Sequence, residues 1–327
     1  MFLNLLFLIG GLALILFGAN WLTDGASAIA RRWGVSDLVV GLTVVAFGTS
    51  APELVISVMS AINGNAGLAI GNVVGSNIFN VLVIVGATAI LSPIKIERST
   101  MTKDIPLVVL SAVALLAIGN SQWLDGAPHN IITRVDGILL LLFFAIFMRH
   151  TFSTARQEEA MQKAEPTSAT GTVTRAMSVL KSVLFVICGL AGLIIGGDRF
   201  VAGASAIASA LGVSDAIIGL TIVAAGTSLP ELATSLVAAR KGQTGIAIGN
   251  GIGSNIFNIF LVLGCSATIR PLPFGSIGNF DLLTLTGACV LFWLFGWLFR
   301  KRTITRGEGA ILLLGYVAYV AWLIISL

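Results

Sequence analysis

Charged side chains are scarce in this sequence. Of its 327 residues only 10% are Asp, Glu, Lys or Arg, whereas 56% are hydrophobic. The mean hydropathy of +0.98 excludes a water-soluble globular chain of this length, because too few polar groups are present to cover its surface. We therefore expect a protein whose solvent is largely lipid.

Cysteine and histidine are also few. Cys188, Cys265 and Cys289 lie in apolar stretches, at spacings that match neither a disulfide framework nor a zinc site. The two histidines occur without an HExxH or GxSxG motif, which argues against an intramembrane enzyme. The first residues, MFLNLLFLIGG, lack the positive segment of a secretory signal and predict a retained span. We expect no enzyme activity and no cofactor.

Long apolar runs, in contrast, are abundant. A bilayer core needs about 20 apolar residues per helix. Stretches of roughly that length predict an all-α polytopic membrane protein with ten transmembrane helices. The predicted spans are 4–22, 37–60, 68–91, 104–119, 134–149, 181–199, 215–239, 246–268, 280–299 and 308–326.

The positive charges predict an orientation. With ten spans both termini share one side, and of the 19 Lys and Arg residues only Arg134, Arg199 and Arg270 fall in the loops on that side. Positive residues favour cytoplasmic loops, so we expect a plasma (inner) membrane protein with both termini extracytoplasmic. The long hydrophilic stretch 150–180 is then a flexible cytoplasmic linker. The basic clusters act as topology signals, and nucleic acid is not expected as a partner.

The sequence contains an internal repeat. GVSDLVVGLTVVAFGTSAPELVIS, starting at Gly34, aligns with GVSDAIIGLTIVAAGTSLPELATS, starting at Gly212, and the match continues for about 53 positions with about 30 identities. The repeat divides the chain into halves at 1–149 and 181–327, with repeat segments at about 34–86 and 212–264. Each half has five predicted spans, and an odd number inverts the second half in the membrane. Inverted repeats are typical of secondary transporters.

Two glutamates lie well inside predicted spans. An ionised carboxylate at the depth of Glu53 or Glu231 is costly and indicates an ion or proton pathway. A structural ion pair is not favoured, because no Lys or Arg lies at comparable depth in any predicted span. Pro52 and Pro230 lack an N–H and free backbone carbonyls nearby, which are oxygens that Na⁺ and Ca²⁺ prefer. A Thr-Ser pair precedes each glutamate and shares its helical face; these pairs are Thr49 with Ser50 and Thr227 with Ser228.

A polar stripe accompanies each glutamate. Asn72, Ser76 and Asn80 recur every four residues in the third span. The matching residues in the eighth span are Asn250, Ser254 and Asn258. Such side chains can be hydrogen-bonding glue between helices or ion ligands, and two symmetric stripes beside two carboxylates favour ligands. Asp24 and Asp198, near the ends of the first and sixth spans, are interpreted as solvated.

The motifs GTSAPEL with GNVVGSNIFN, and GTSLPEL with GNGIGSNIFN, resemble those of the cation/calcium antiporter superfamily, specifically its sodium/calcium exchanger branch and the small prokaryotic members. The resemblance covers essentially the whole chain. It implies oxygen ligands for Na⁺ and Ca²⁺ from the second, third, seventh and eighth spans, with the first and sixth helices sliding across this core. The implied ligands are the carboxylates of Glu53 and Glu231, the hydroxyl or carbonyl groups of Thr49, Ser50, Ser76, Thr227, Ser228 and Ser254, the amides of Asn80 and Asn258, and the backbone oxygens of Ala46 and Ala224.

The resemblance implies Na⁺-driven Ca²⁺ antiport by alternating access, with the lipid bilayer as the only partner indicated. Several exchangers have Asp where this chain has Asn258, so only two carboxylates line the site, and the ion stoichiometry and a potassium requirement stay open. An H⁺/Ca²⁺ exchanger is a second alternative, although that branch usually places Asn rather than Thr-Ser before the glutamate. A passive cation channel is a third, and it would not need the two-fold repeat.

Overall fold

A computed structural model describes residues 2–164, 177–212, 224–275, 277–298 and 302–326. Within these ranges the chain is helical apart from loops and four two-residue strands. In chain order the helices are α1 (Phe2–Trp33), α2 (Asp37–Thr49), α3 (Ala51–Ile62), α4 (Ala66–Leu91), α5 (Thr100–Ile118), α6 (Ser121–Asp125), α7 (Arg134–Ala164), α8 (Val179–Ala210), α9 (Ala224–Gly226), α10 (Leu229–Arg240), α11 (Thr244–Ile269), α12 (Asn279–Leu298) and α13 (Arg306–Ser326).

Eight of the described helices are long and apolar enough to cross a membrane, namely α1, α4, α5, α7, α8, α11, α12 and α13. The pair α2 and α3, bent by 46° at Ser50, makes a ninth if it is counted as one span. The seventh predicted span, 215–239, begins among residues 213–223, which lie outside the described ranges. The expectation of a helical membrane protein is thus confirmed, while the count of ten stays a prediction.

Three helices extend beyond their predicted spans. Helices α1 and α8 have 32 residues each, against predicted spans of 4–22 and 181–199. Their added turns are rich in Ala, Gly and Ser, and in α1 they are buried, so packing rather than lipid contact favours them. Helix α7 continues past the predicted end at residue 149, so the first part of the predicted linker is helical, and residues 165–176 lie outside the described ranges.

Helices α1 and α8 pack antiparallel along their lengths through glycines spaced seven residues apart. A Cβ on Gly18 would lie 2.7 Å from the carbonyl oxygen of Gly189, and a Cβ on Gly196 would lie 2.8 Å from that of Gly11. Such distances leave no room for a side chain, so the two backbones touch directly. The helices therefore form one closely packed pair.

Two antiparallel strand pairs join the two halves of the chain. Strand β1 (Ile94–Lys95) pairs with β4 (Thr303–Ile304), and β2 (Ile131–Ile132) pairs with β3 (Leu272–Pro273). Each pair takes one strand from either half, so the halves are linked by reciprocal backbone hydrogen bonds.

Helices α4 and α11 occupy the centre. In their most apolar stretches 78% of the residues are buried inside the protein, compared with 17–39% in the other membrane-length helices. Both carry π-helical turns, at Asn80–Val85 in α4 and Phe257–Leu263 in α11. The polar stripes predicted from the sequence thus lie on the two most buried helices.

Candidate ion-binding site

Each glutamate lies in the first turn of a helix that starts at a break. Ser50 separates α2 from α3 with φ −84° and ψ 4°, and Ser228 precedes α10 with φ −93° and ψ 6°. A proline follows each serine at the second helical position, where a missing N–H costs no helical hydrogen bond. Each glutamate therefore lies at the N-terminal end of its own helix, where the helix dipole favours negative charge.

The two carboxylates face one another across the halves. Glu53 and Glu231 are fully buried. The Ser228 hydroxyl donates to Glu53 Oε1 at 3.4 Å, and the Ser50 hydroxyl donates to Glu231 Oε1 at 3.2 Å. Each glutamate is thus held by the serine that precedes the other one. The two glutamates and the serines that precede them are thus brought together from both halves.

Several buried polar atoms of this site have no hydrogen-bond partner within the described part of the chain. They are Glu53 Oε2, Glu231 Oε2, Ser254 Oγ, Asn258 Oδ1 and both side-chain polar atoms of Asn80. A buried polar atom without a partner is costly unless something else binds it. Five of the six atoms are oxygens, the ligand type of Na⁺ and Ca²⁺, so the unsatisfied set suits a bound cation.

The remaining predicted ligands lie on α4, near the end of α2 and in or just after α9. Ser76 Oγ lies 3.5 Å from Glu53 Oε1. The carbonyl of Ala46 accepts from the amide of Ser50 at 3.0 Å and lies 3.4 Å from the Thr49 hydroxyl. Thr227 is half-buried and lines the cavity described below. Ala224 begins α9, three residues before Thr227.

Asn72 and Asn250, predicted as members of the polar stripes, use their NH₂ groups to support the two breaks. The Asn72 amide donates to the carbonyl of Glu53 at 3.3 Å and to the Ser57 hydroxyl at 3.0 Å. The Asn250 amide donates to the carbonyl of Glu231 at 3.1 Å and to the Ser235 hydroxyl at 3.0 Å.

Four polar residues of the site were not singled out from the sequence: Ser57, Ser235, Asn77 and Asn255. Both serines follow a glutamate by one helical turn, and this spacing could have indicated their role. Asn77 joins the central helices, because its amide donates to the carbonyl of Asn255 at 3.2 Å and its Oδ1 accepts from Asn258 at 3.0 Å. Asn77 and Asn255 occupy the same position of the repeated GSN motif, and this repetition could have indicated their role.

Close backbone approach brings α11 against α2. A Cβ on Gly249 would lie 2.6 Å from the carbonyl oxygen of Leu38, and one on Gly253 would lie 2.6 Å from the Cβ of Ala46. Without side chains at these positions, the polar residues of α11 can reach those of α2. The clearest result is a 3.1 Å hydrogen bond from the Thr49 hydroxyl to Asn250 Oδ1.

A cavity of about 500 Å³ lies between α8 and the two breaks. Its lining is mostly apolar and includes Pro52, Pro230 and Thr227 from the breaks, with Val201 and Asp198 from α8. Asp198 is exposed and lies 3.9 Å from its neighbour Arg199. The cavity lies between an exposed carboxylate and the helix breaks, beside the places where Leu190 and Val201 of α8 pack against Gly48 and Gly226.

Asp24 is partly solvated, as expected, and it also has an ion-pair partner. Its carboxylate forms a 2.8 Å ion pair with Lys241, which follows α10. Lys241 also donates to the carbonyl of Asn20 at 3.1 Å. The sequence could not show this pairing, because the two side chains come from opposite halves of the chain.

The charge of the site is limited to two carboxylates. Among the described residues, no group of three or more His, Cys, Asp or Glu side chains could hold a metal ion. Two buried negative charges with neutral hydroxyl, amide and carbonyl oxygens can balance one divalent or two monovalent cations. The arrangement therefore suits hard cations that are bound and released.

Comparison with known proteins gives a consistent result. The model of the family described as sodium/calcium exchanger protein matches residues 3–152 and 181–325. The sodium/calcium exchanger MaX1 of Methanosarcina acetivorans is 35% identical over 345 residues, with 97% of each chain covered. The inner membrane protein YrbG of Escherichia coli is 34% identical over 327 residues, covering 97% of this chain and 95% of YrbG.

A solved structure is similar over nearly the same length. The sodium-calcium exchanger NCX_Mj superposes with a TM-score of 0.82 and 34% sequence identity, covering 98% of both chains. The similarity therefore includes both halves and the helices that carry the site.

Proposed function

This chain belongs to the sodium/calcium exchanger family, a family of transporters rather than enzymes, and from that membership we propose that it exchanges Na⁺ for Ca²⁺ across the membrane as a secondary active antiporter. The observation that carries the proposal is the buried pair Glu53 and Glu231, each held by a serine of the opposite half. A site built equally from two halves can open to either side of the membrane as the halves or their peripheral helices shift. Alternating access follows from that construction.

The proposed ion site contains the carboxylates and the neutral oxygens around them. Its residues are Glu53, Glu231, Thr49, Ser50, Ser76, Asn80, Thr227, Ser228, Ser254, Asn258, Ala46 and Ala224. The unpartnered oxygens of Glu53, Glu231, Ser254 and Asn258 support this set. With two carboxylates, Na⁺ and Ca²⁺ compete for overlapping positions, and any Na⁺ beyond two is held by neutral oxygens. Na⁺ and Ca²⁺ are the transported ions, and the proposed transport involves no cofactor.

We further propose ten transmembrane helices in two inverted five-helix repeats. The strand pairs support this count, because paired strands must lie on the same side of the membrane. Ten spans place six crossings between β1 and β4 and four between β2 and β3, both even numbers. The count also keeps 150–180 as a cytoplasmic linker and both termini extracytoplasmic in the plasma (inner) membrane.

Radiocalcium flux into proteoliposomes tests the exchange, with Na⁺, K⁺ and H⁺ gradients set independently. An outward Na⁺ gradient should drive calcium uptake, and reversing the gradient should reverse the flux. Uptake driven by a pH gradient alone would instead identify an H⁺/Ca²⁺ exchanger, and a need for K⁺ would identify a potassium-dependent one. Calcium flux that ignores every counter-ion would contradict antiport and indicate a channel.

A further inference from the structure

The side chain of Asn250 makes three hydrogen bonds beside the candidate site. It is completely buried in α11. Its amide donates to the carbonyl of Glu231 at 3.1 Å and to Ser235 Oγ at 3.0 Å, while its Oδ1 accepts from Thr49 Oγ1 at 3.1 Å. The Asn250 side chain thus contacts the backbone of Glu231 in the second half and the Thr49 hydroxyl in the first.

The surrounding hydrogen bonds fix which way the Asn250 amide points. The Ser235 hydroxyl donates to the carbonyl of Ala247 at 3.3 Å, so its oxygen is left to accept from Asn250. The carbonyl of Glu231 can also only accept. Both contacts need the NH₂ group of Asn250, and the Oδ1 atom must therefore face Thr49.

This orientation matters for Thr49 because a hydroxyl that binds a cation must direct its single proton elsewhere. The Thr49 hydroxyl has three acceptors in reach: Asn250 Oδ1 and the carbonyl of Val45, both at 3.1 Å, and the carbonyl of Ala46 at 3.4 Å. Of these three, Asn250 lies outside the helix of Thr49, in the opposite half, where the hydroxyl also faces the carboxylate of Glu231, itself a proposed cation ligand. A proton given to Asn250 keeps the carbonyl of Ala46 and the lone pairs of Thr49 available as cation ligands.

We propose that Asn250 is a positioning residue that directs the Thr49 proton away from the cation while holding the backbone of Glu231, so that ligands from the two halves are set together. The inference rests on the proposed cation site but assigns a residue outside its ligand set. Because the NH₂ group of Asn250 is engaged by Glu231 and Ser235 and its Oδ1 atom by Thr49, it acts through Thr49 and Glu231.

A double-mutant cycle on calcium affinity tests this assignment. Thr49→Val, Asn250→Ala and the double variant are purified as full-length protein in detergent, and radiocalcium binding is measured at equilibrium. We expect each single change to weaken calcium binding by about tenfold, which is the effect of losing one well-placed hydrogen bond. The double variant should be weakened by clearly less than the product of the two single effects, because both changes remove the same contact between Thr49 and Asn250, while Asn250→Ala also removes the contact to Glu231.

The matched control uses Ser57→Ala, which removes the corresponding anchor of Asn72 in the first half. Its effect should multiply with that of Thr49→Val. Ser235→Ala gives a second, milder variant in case Asn250→Ala does not fold, since it frees the Asn250 amide without removing it. Its effect should vanish in the Thr49→Val background.

The assignment would be overturned if the fold-change in calcium affinity caused by Asn250→Ala or Ser235→Ala multiplied with that of Thr49→Val. That is the behaviour expected of the Ser57→Ala control. So would calcium affinity unchanged from wild type in both Asn250→Ala and Ser235→Ala. The binding cycle is separate from transport, so the two proposals can fail separately. Wild-type protein that binds calcium without Na⁺-coupled flux would contradict the exchange function, and the cycle would still decide the role of Asn250.

Discussion

The Ser50 hydroxyl donates to Glu231 Oε1 at 3.2 Å, although the two residues are far apart in sequence and lie in opposite repeats. Ser228 makes the reciprocal contact to Glu53 at 3.4 Å. Because each carboxylate depends on a serine from the other half, neither repeat can assemble the site alone. This exchange of partners explains why both copies of the motif are complete in a single chain.

Replacing either buried glutamate by glutamine should abolish calcium exchange. Glu53→Gln or Glu231→Gln removes half of the negative charge available to a divalent cation, and we expect flux to fall by at least about 100-fold. The measurement is Na⁺-driven radiocalcium uptake, with membrane insertion checked by size-exclusion profile. Glu97→Gln, which changes an exposed carboxylate, should retain wild-type flux. Retained exchange in both buried variants would place the site elsewhere.

Much of the fold and the identity of the two glutamates could be predicted from sequence, because both depend on local pattern. Long apolar runs predict membrane helices, and a buried carboxylate beside Pro is unusual wherever it occurs. Duplication then brings Glu53 and Glu231 to equivalent positions. The sequence also predicts polar helix faces on α4 and α11, and the structure places both faces in the protein interior.

The crosswise hydrogen bonds could not be predicted, because they depend on how the two halves pack. The spacing of Ser50 and Glu53 predicts proximity within one helix, yet Ser50 turns to Glu231 after the break in the chain. Spacing alone groups Asn72 with the ion ligands, whereas in the structure its amide holds the Glu53 carbonyl and Ser57. Spacing identifies the face of a helix, but not which atoms on that face are already engaged.

The ion pair between Asp24 and Lys241 should contribute little to stability. Both side chains are partly solvated, with relative exposures of 44% and 27%, and exposed pairs of this kind are worth about 0–1 kcal/mol. Asp24→Asn should lower the thermal midpoint slightly at low salt and not at high salt, where the pair is screened. The charge swap of Asp24→Lys with Lys241→Asp should recover the loss. A decrease of several kcal/mol that persists at high salt would contradict this weak surface role.

Gly249 should not tolerate alanine, whereas Gly251 on the same helix should. A Cβ at Gly249 would meet the carbonyl oxygen of Leu38 at 2.6 Å, and backbone cannot move aside cheaply. We expect Gly249→Ala to cost about 1–3 kcal/mol and to weaken calcium binding, because α2 would be pushed away from α11.

Gly251 provides the matched control for this change. A Cβ there would lie 3.8 Å from Val85 Cγ2, an ordinary contact. Alanine is the better helix former by about 0.5–1 kcal/mol, so Gly251→Ala should be neutral or stabilising. Thermal midpoints in detergent compare the two variants directly. Equal losses in both would mean that close approach to α2 is not what requires glycine at Gly249.

The strand pairs make the span count testable by labelling from one side of the membrane. In a background with Cys188→Ser and Cys265→Ser, in which the remaining Cys289 is buried, one cysteine at a time replaces Pro93 or Gly307, which are exposed beside β1 and β4, or Asp125, which is exposed at the end of α6. These changes leave every Lys and Arg in place, so the signals that set orientation are kept.

Ten spans predict that an impermeant maleimide added outside intact cells labels Asp125→Cys and neither of the others. With nine spans, in which the region before α10 fails to cross, Pro93→Cys and Gly307→Cys would lie on opposite sides and label differently. That result would also require β1 and β4 to separate, since hydrogen-bonded strands cannot pair across a bilayer.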